Sequence, residues 1–150
     1  MKRFHVSVNV ADLERSTRFY STLFGSAPTL KKNDYAKWML EDPRINFSIS
    51  TSAGRRGISH VGLQTDSMPE LAEIQSRLRD AQITAFDQPN AQCCYANSSK
   101  TWVRDPDDVA WESFMTHGET TTYGDDLAPR TDSDAAQPAG GESPGACCGG

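Results

Sequence analysis

Gly57-Ile58-Ser59-His60-Val61-Gly62-Leu63-Gln64 restarts a pattern that the chain has already used once, at Phe4-His5-Val6-Ser7-Val8-Asn9-Val10. The earlier stretch alternates strictly. Phe4, Val6, Val8 and Val10 share one face of a strand, and His5, Ser7 and Asn9 share the other. His60 follows His5 by 55 residues and holds the same place in its strand. At that offset Val6 matches Val61, Val8 matches Leu63, Asn9 matches Gln64 and Leu23 matches Leu78.

The segment after each strand repeats too. Asp12 has the character of an N-cap, and Leu13, Ser16, Tyr20, Leu23 and Phe24 keep helical spacing up to Gly25. Ser67, Pro69 and Glu70 form a capping box with proline in the first turn, ahead of the stripe Leu71, Ile74, Leu78 and Ala81. Three strands are expected after the first helix, over about 27–31, 35–40 and 44–50, with Asp42-Pro43 turning between the last two. After the second helix, short strands are expected near 83–86, 93–96 and 100–104. Asp105-Pro106 then turns into Val109–Phe114. The order βαβββ therefore occurs twice, which predicts an α+β fold of two tandem modules, residues 1–52 and 57–117. Allowing one residue for the longer second turn, Glu112 matches Ser48 and Trp111 matches Phe47.

If the modules pack as pseudo-symmetric halves, His5 and His60 converge near the axis and a last-strand residue joins them. Glu112 lies in an apolar strand, where a carboxylate is costly unless paired or bound to a cation. Two histidines and one carboxylate with open positions make the facial triad of non-haem Fe(II) sites. Ser48, at the fourth pseudo-symmetric position, is a poor ligand and leaves positions open. From the residues alone, unrelated polar side chains remain the competing reading. His117 lacks this context.

Gln92-Cys93-Cys94-Tyr95 carries the other chemistry. Adjacent Cα atoms lie about 3.8 Å apart, closer than an unstrained disulfide wants. Two thiols can instead converge on one soft atom. A regular strand would send them to opposite faces, so cooperation requires a loop or bulge, which the turn-rich Gln88-Pro89-Asn90-Ala91-Gln92 allows. Small apolar fillers at a strand edge are the competing reading. Trp102 reads as ordinary lining, Tyr95 is either lining or a group of the site, and Lys100 is either a surface charge or a positive group at a pocket rim.

Of 150 residues, those from Gly118 to Gly150 hold six acids, one base and seven of the 11 glycines, with almost no large apolar side chain. Such a segment, 118–150, is expected to be disordered. Its Cys147-Cys148 pair could capture a soft metal or be inert. The first 117 residues are electrically neutral, so no nucleic acid or membrane partner is expected. Paired cysteines without a secreted framework, and no signal or membrane-spanning stretch, suggest the cytoplasm.

The duplicated unit resembles the vicinal oxygen chelate superfamily, the glyoxalase, bleomycin-resistance and dioxygenase group. Val8 to Gly25 is similar to its opening strand and helix. Tyr35–Leu40, Asp42–Thr51, Cys93–Ala96, Lys100–Pro106 and Trp111–Phe114 resemble, more narrowly, the organoarsenical C–As lyases, also known as cadmium-induced proteins. The resemblance covers residues 1 to about 117. It implies a half-barrel that holds Fe(II) through His5, His60 and Glu112, with O₂ as co-substrate. It implies cleavage of the carbon–arsenic bond of trivalent organoarsenicals such as methylarsenite, with Cys93 and Cys94 holding the arsenic. The expected oligomer is a monomer or homodimer. A thiol-based arsenic or cadmium binder on the same fold, and a ring-cleaving dioxygenase or glyoxalase, are the alternatives.

Overall fold

A computed structural model describes residues 1–51, 55–121 and 124. The elements run β1 (Arg3–Asn9), α1 (Leu13–Phe24), β2 (Leu30–Lys31), β3 (Tyr35–Glu41), β4 (Arg44–Ser50), β5 (Gly57–Gln64), α2 (Met68–Asp80), β6 (Phe86–Cys93), β7 (Ala96–Arg104) and β8 (Ala110–Glu119). This is βαβββ twice. The strands form one mixed sheet in the order β2-β3-β4-β1-β5-β8-β7-β6, curled into a half-barrel.

The register carries the symmetry. β1 and β5 run antiparallel at the centre, pairing His5 with Gly62, Val6 with Val61 and Ser7 with His60. The pseudo-two-fold axis thus passes at Val6 and Val61, with one histidine on either side. β1 pairs in parallel with β4, and β5 in parallel with β8. Ser7 faces Ser48, and its counterpart Gly62 faces Glu112, so the expected match of Ser48 with Glu112 holds in space. Val6 faces Phe47 just as Val61 faces Trp111.

Each helix forms where its caps allow. The Asp12 carboxylate accepts from Arg15 N at 2.9 Å, and Gly25, at φ 66°, closes α1 in the left-handed conformation that suits glycine. Ser67 caps α2, accepting from Glu70 N at 3.4 Å. The capping box is shifted by one residue: Glu70 accepts from Asp66 N at 2.9 Å rather than from the Ser67 amide. The apolar face of β1 packs under α1 in a cluster of Val10, Leu13, Ala36, Trp38, Phe47 and Ile49, with Tyr20 4.5 Å from Phe47 between ring centroids. Leu23, expected on the inner stripe, points outward and is 64% exposed, because Tyr20 and Phe24 already fill the space above Phe47 and Trp38. The polar face of β1 is buried as well: Arg3, His5 and Ser7 lie on the concave side of the curled sheet.

Three expectations for the second module change. The short strands near 83–86, 93–96 and 100–104 are two long ones, β6 and β7, paired as a hairpin. The stretch Gln88–Gln92 is strand rather than loop, with a register shift between Gln88 and Ala91. Pro89 is tolerated there because β6 is the sheet's edge. Pairing also outlasts the change in composition at Gly118: Gly118 faces Asn97, Glu119 faces Ala96, and Thr120 N donates to Tyr95 O at 2.8 Å. Cys147, Cys148 and the rest of the tail, apart from residues 118–121 and Gly124, lie outside the described residues. No helix among the described residues is long and apolar enough to cross a membrane.

Candidate metal centre and thiol pair

His5, His60 and Glu112 meet on the concave face at the pseudo-symmetry axis. His5 Nε2 lies 3.2 Å from His60 Nε2, and Glu112 Oε2 lies 3.7 Å from the first and 3.5 Å from the second. His5 and Glu112 are buried, and His60 is partly so. The His5 ring faces the Asn46 carbonyl with Nδ1 at 3.0 Å. A carbonyl only accepts, so in the neutral ring the proton sits on Nδ1 and Nε2 presents its lone pair. Ser59 Oγ lies 3.2 Å from His60 Nδ1. Phe114 packs edge-on to His5 and Trp102 edge-on to His60, fixing both ring planes.

Burial holds the His5 pKa down to about 4, against a smaller opposing pull from the Glu112 carboxylate. Burial by itself would raise the Glu112 carboxyl. The Lys100 ammonium and the two imidazoles outweigh it and hold Glu112 well below the usual carboxylate range. The ring of His5 is therefore neutral and the carboxylate ionised at neutral pH, as metal donors must be.

The donor set fits a divalent ion. Donors bound at about 2.1 Å and at roughly right angles to one ion stand about 3 Å apart. The spacings here are 3.2 to 3.7 Å, and these three residues could hold a metal ion. Two histidines with one carboxylate suit the transition metals of facial-triad sites.

Several features place Glu112. The Asp105 carboxylate accepts from Asp107 N, Val109 N and Trp111 Nε1 at 3.0, 2.9 and 3.2 Å, tying the turn to the start of β8. Gly62 faces both His5 and Glu112 across the sheet, and a Cβ built there would lie 1.9 Å from the Glu112 carbonyl oxygen. Only glycine allows β5 and β8 this close approach. Lys100 Nζ lies 2.7 Å from Glu112 Oε1, deep inside the site rather than at a surface or rim.

Cys93 ends β6, and Cys94 and Tyr95 form the two-residue turn into β7, at φ 56° and 63°. Positive φ at both positions is the geometry of a type I′ hairpin turn, which favours asparagine and glycine. The turn breaks strand alternation at the place where cooperation needed it. The two sulfurs stand 3.0 Å apart, with Cys93 buried, Cys94 half-buried and neither in a disulfide. The Cys94 contact and burial push the Cys93 thiol up. The Lys100 ammonium and Glu112 carboxylate also act on Cys93 through space, which puts the pair in the same electrostatic neighbourhood as the three donors.

Tyr95 is not ordinary strand lining. Its hydroxyl donates to Asp34 Oδ1 at 2.7 Å, its ring lies 6.0 Å from Tyr35, and Lys32 Nζ sits 5.3 Å from the ring centroid. The thiol-bearing turn is thereby strapped to the first module. His117 stays outside the site, with Nε2 2.8 Å from Ser99 Oγ. Asn46, Gly62 and Phe114 are site residues that sequence reasoning missed. Their signal was register: each lies opposite, or two residues along the strand from, one of the three donors.

The sequence profile of the glyoxalase/bleomycin resistance protein/dioxygenase superfamily matches residues 2–113, and the chain belongs to that superfamily. Within it, the chain belongs to the family of the trivalent organoarsenical cleaving enzymes and the cadmium-induced proteins. The trivalent organoarsenical cleaving enzyme of Bacillus sp. (strain MD1) is 40% identical over 134 residues, covering 87% of this chain and 82% of that protein. The cadmium-induced protein CadI of Mycobacterium bovis is 30% identical over 125 residues, 83% of this chain and 82% of its own. Among solved structures, the Mn(II)-bound glyoxalase from Novosphingobium aromaticivorans shares the fold with a TM-score of 0.57 at 16% identity, over 85% of this chain and 44% of that one.

Proposed function

We propose that this protein is a non-haem Fe(II)-dependent dioxygenase that cleaves the carbon–arsenic bond of trivalent organoarsenicals, methylarsenite and reduced aromatic arsenicals among them, and releases arsenite. The observation that supports the reading is the presence of two chemistries in one fold: a two-histidine, one-carboxylate cluster, and two sulfurs 3.0 Å apart on a turn whose Cys93 feels the charges of Lys100 and Glu112. The names of the 40%-identical relatives support the substrate class.

In this reading Cys93 and Cys94 capture the substrate. A monosubstituted arsenical RAs(OH)₂ exchanges both hydroxyls for the two sulfurs. Each thiol gives up its proton, and two waters leave. The carbon substituent is the remaining bond, and the strap from Tyr95 to Asp34 fixes where it points. His5, His60 and Glu112 would hold Fe(II), which supplies oxidative chemistry with O₂ as co-substrate. The Asn46 carbonyl keeps the His5 proton on Nδ1, and Phe114 and Trp102 keep the rings in place and water out. Holding substrate and metal in one site is a proximity effect worth up to several kcal/mol of barrier, about 7 in favourable cases.

Arsenite should appear from methylarsenite with Fe(II) under air and not under nitrogen. Its absence under air, with iron bound, would refute the reading. A second reading, thiol-based sequestration of arsenic or cadmium, draws on the cadmium-induced relatives. It predicts tight binding of either element with no O₂ uptake. The thiols suit a reducing compartment, so we place the protein in the cytoplasm.

A further inference from the structure

Lys100 lies on β7 opposite Phe114, one step along the concave face from the Trp102–Glu112 pair. That diagonal separation, about 7–8 Å between Cα atoms, is within reach of a lysine stem. The stem delivers Nζ to 2.7 Å from Glu112 Oε1, and both side chains are almost fully buried. The two carboxylate oxygens therefore have different surroundings. Oε2 faces His5 and His60. Oε1 meets the ammonium as an ion pair at 2.7 Å and, among the described residues, accepts no hydrogen bond of good geometry. The Trp102 ring centroid lies 5.8 Å from Nζ and confines the lysine on its own side of the carboxylate.

We propose that Lys100 is a positioning residue that occupies Oε1 and so presents Glu112 to the metal through Oε2 alone. This rests on the reading of Glu112 as a metal donor. A carboxylate free at both oxygens can chelate an ion and fill two of its positions. Holding Oε1 on a buried ammonium keeps Glu112 a one-oxygen donor and leaves one more position for exogenous ligands. A buried lysine is costly unless it is paired, and a hydrophobic residue of like volume would fill the same space. The buried pair is thus explained by what it does to the carboxylate.

The test uses the full-length protein loaded with Mn(II), read by water-proton relaxation, which counts waters on the ion without calling on activity. With three protein donors on a six-coordinate ion the unaltered protein should show about three inner-sphere waters. Lys100→Met should show about two, with Mn(II) bound at least about tenfold more tightly once the neighbouring positive charge is gone. Lys100→Arg should restore the count of the unaltered protein. An unchanged count in Lys100→Met overturns the proposal.

A second measurement needs no variant. On Mn(II) binding, infrared spectra of glutamate-¹³C-labelled protein should show the widely split carboxylate stretches of a one-oxygen donor, and the narrow splitting of a chelate overturns the proposal. Glu112→Ala separates the two levels. If it leaves Mn(II) affinity unchanged, the metal-donor reading itself has failed. If it abolishes binding while Lys100→Met keeps three waters, only the role of Lys100 has failed.

Discussion

Replacing Gly62 by alanine should dismantle the metal site without touching any donor. The added Cβ would lie 1.9 Å from the Glu112 carbonyl oxygen, 2.8 Å from its carbonyl carbon and 3.1 Å from its nitrogen. All three are backbone atoms, so no side chain can swing aside. Ordinary contact begins at 3.4 Å, so β5 and β8 must separate by the difference, 1.5 Å, at this point. Gly62 also faces His5 on the other side, so the displacement opens the gap between the carboxylate and both imidazoles. Donors now 3.5 and 3.7 Å apart would move well beyond the spacing that one ion can bridge. Perturbing a partner of a ligand typically costs 10- to 100-fold in metal affinity, and moving the ligand's own backbone should cost at least about 100-fold, or roughly 2.7 kcal/mol. Overpacking should also cost about 1–3 kcal/mol of folding stability. Anaerobic titration with Fe(II) or Co(II) measures the first effect and thermal unfolding of the metal-free protein the second. A Gly62→Ala protein that binds metal as tightly as its parent would refute the claim that this close approach sets the position of Glu112.

Other parts of the molecule lead to further expected outcomes. In metal-free protein the folded His5 pKa, about 4, lies below its unfolded value of 6.5. The unfolded chain therefore binds more protons between those values, so the His5 contribution is complete above pH 6.5 and is lost as the pH falls towards 4. About 3 kcal/mol should disappear across that window, and the depressed Glu112 carboxyl adds to the loss further down. Urea unfolding of the apoprotein at pH 7 and pH 4.5 checks this, and equal midpoints would count against it. Tyr95→Phe removes the hydroxyl that holds the thiol turn to Asp34, at a cost of about 1 kcal/mol. It should weaken capture of phenylarsine oxide severalfold while leaving metal affinity alone, and a loss of both would show that the strap is not specific to the thiols. Trp38→Ala empties a fully buried core position beneath α1 and should cost about 3–5 kcal/mol, seen as a lower unfolding midpoint. A midpoint within a degree of the parent's would show that the cluster around Trp38 is not the core.

By itself the sequence determined the duplicated unit. Local signals carry it: strict alternation in β1, Asp12 and Ser67 as caps, Asp-Pro turns, and two histidines 55 residues apart. Once the halves are set antiparallel, symmetry brings His5 to His60 and matches Glu112 with Ser48. It also named the thiol pair. What lies near the sulfurs was another matter. Whether Cys93 and Cys94 cooperate depends on two positive φ angles that no residue there announces, since neither is glycine or asparagine. Those angles belong to the tight turn that pairing Cys93 with Ala96 closes, and its tyrosine reaches an aspartate 61 residues away. Lys100 reads as a surface charge or a rim group in sequence because burial is a property of the whole sheet. Only the pairing of β7 with β8 puts its ammonium against Glu112. Gly62 looks like any strand glycine until β8 is laid beside it. Periodicity and spacing are local and survive in one dimension. The distances between a donor, its counter-charge and the strand next door exist only after the chain has closed on itself.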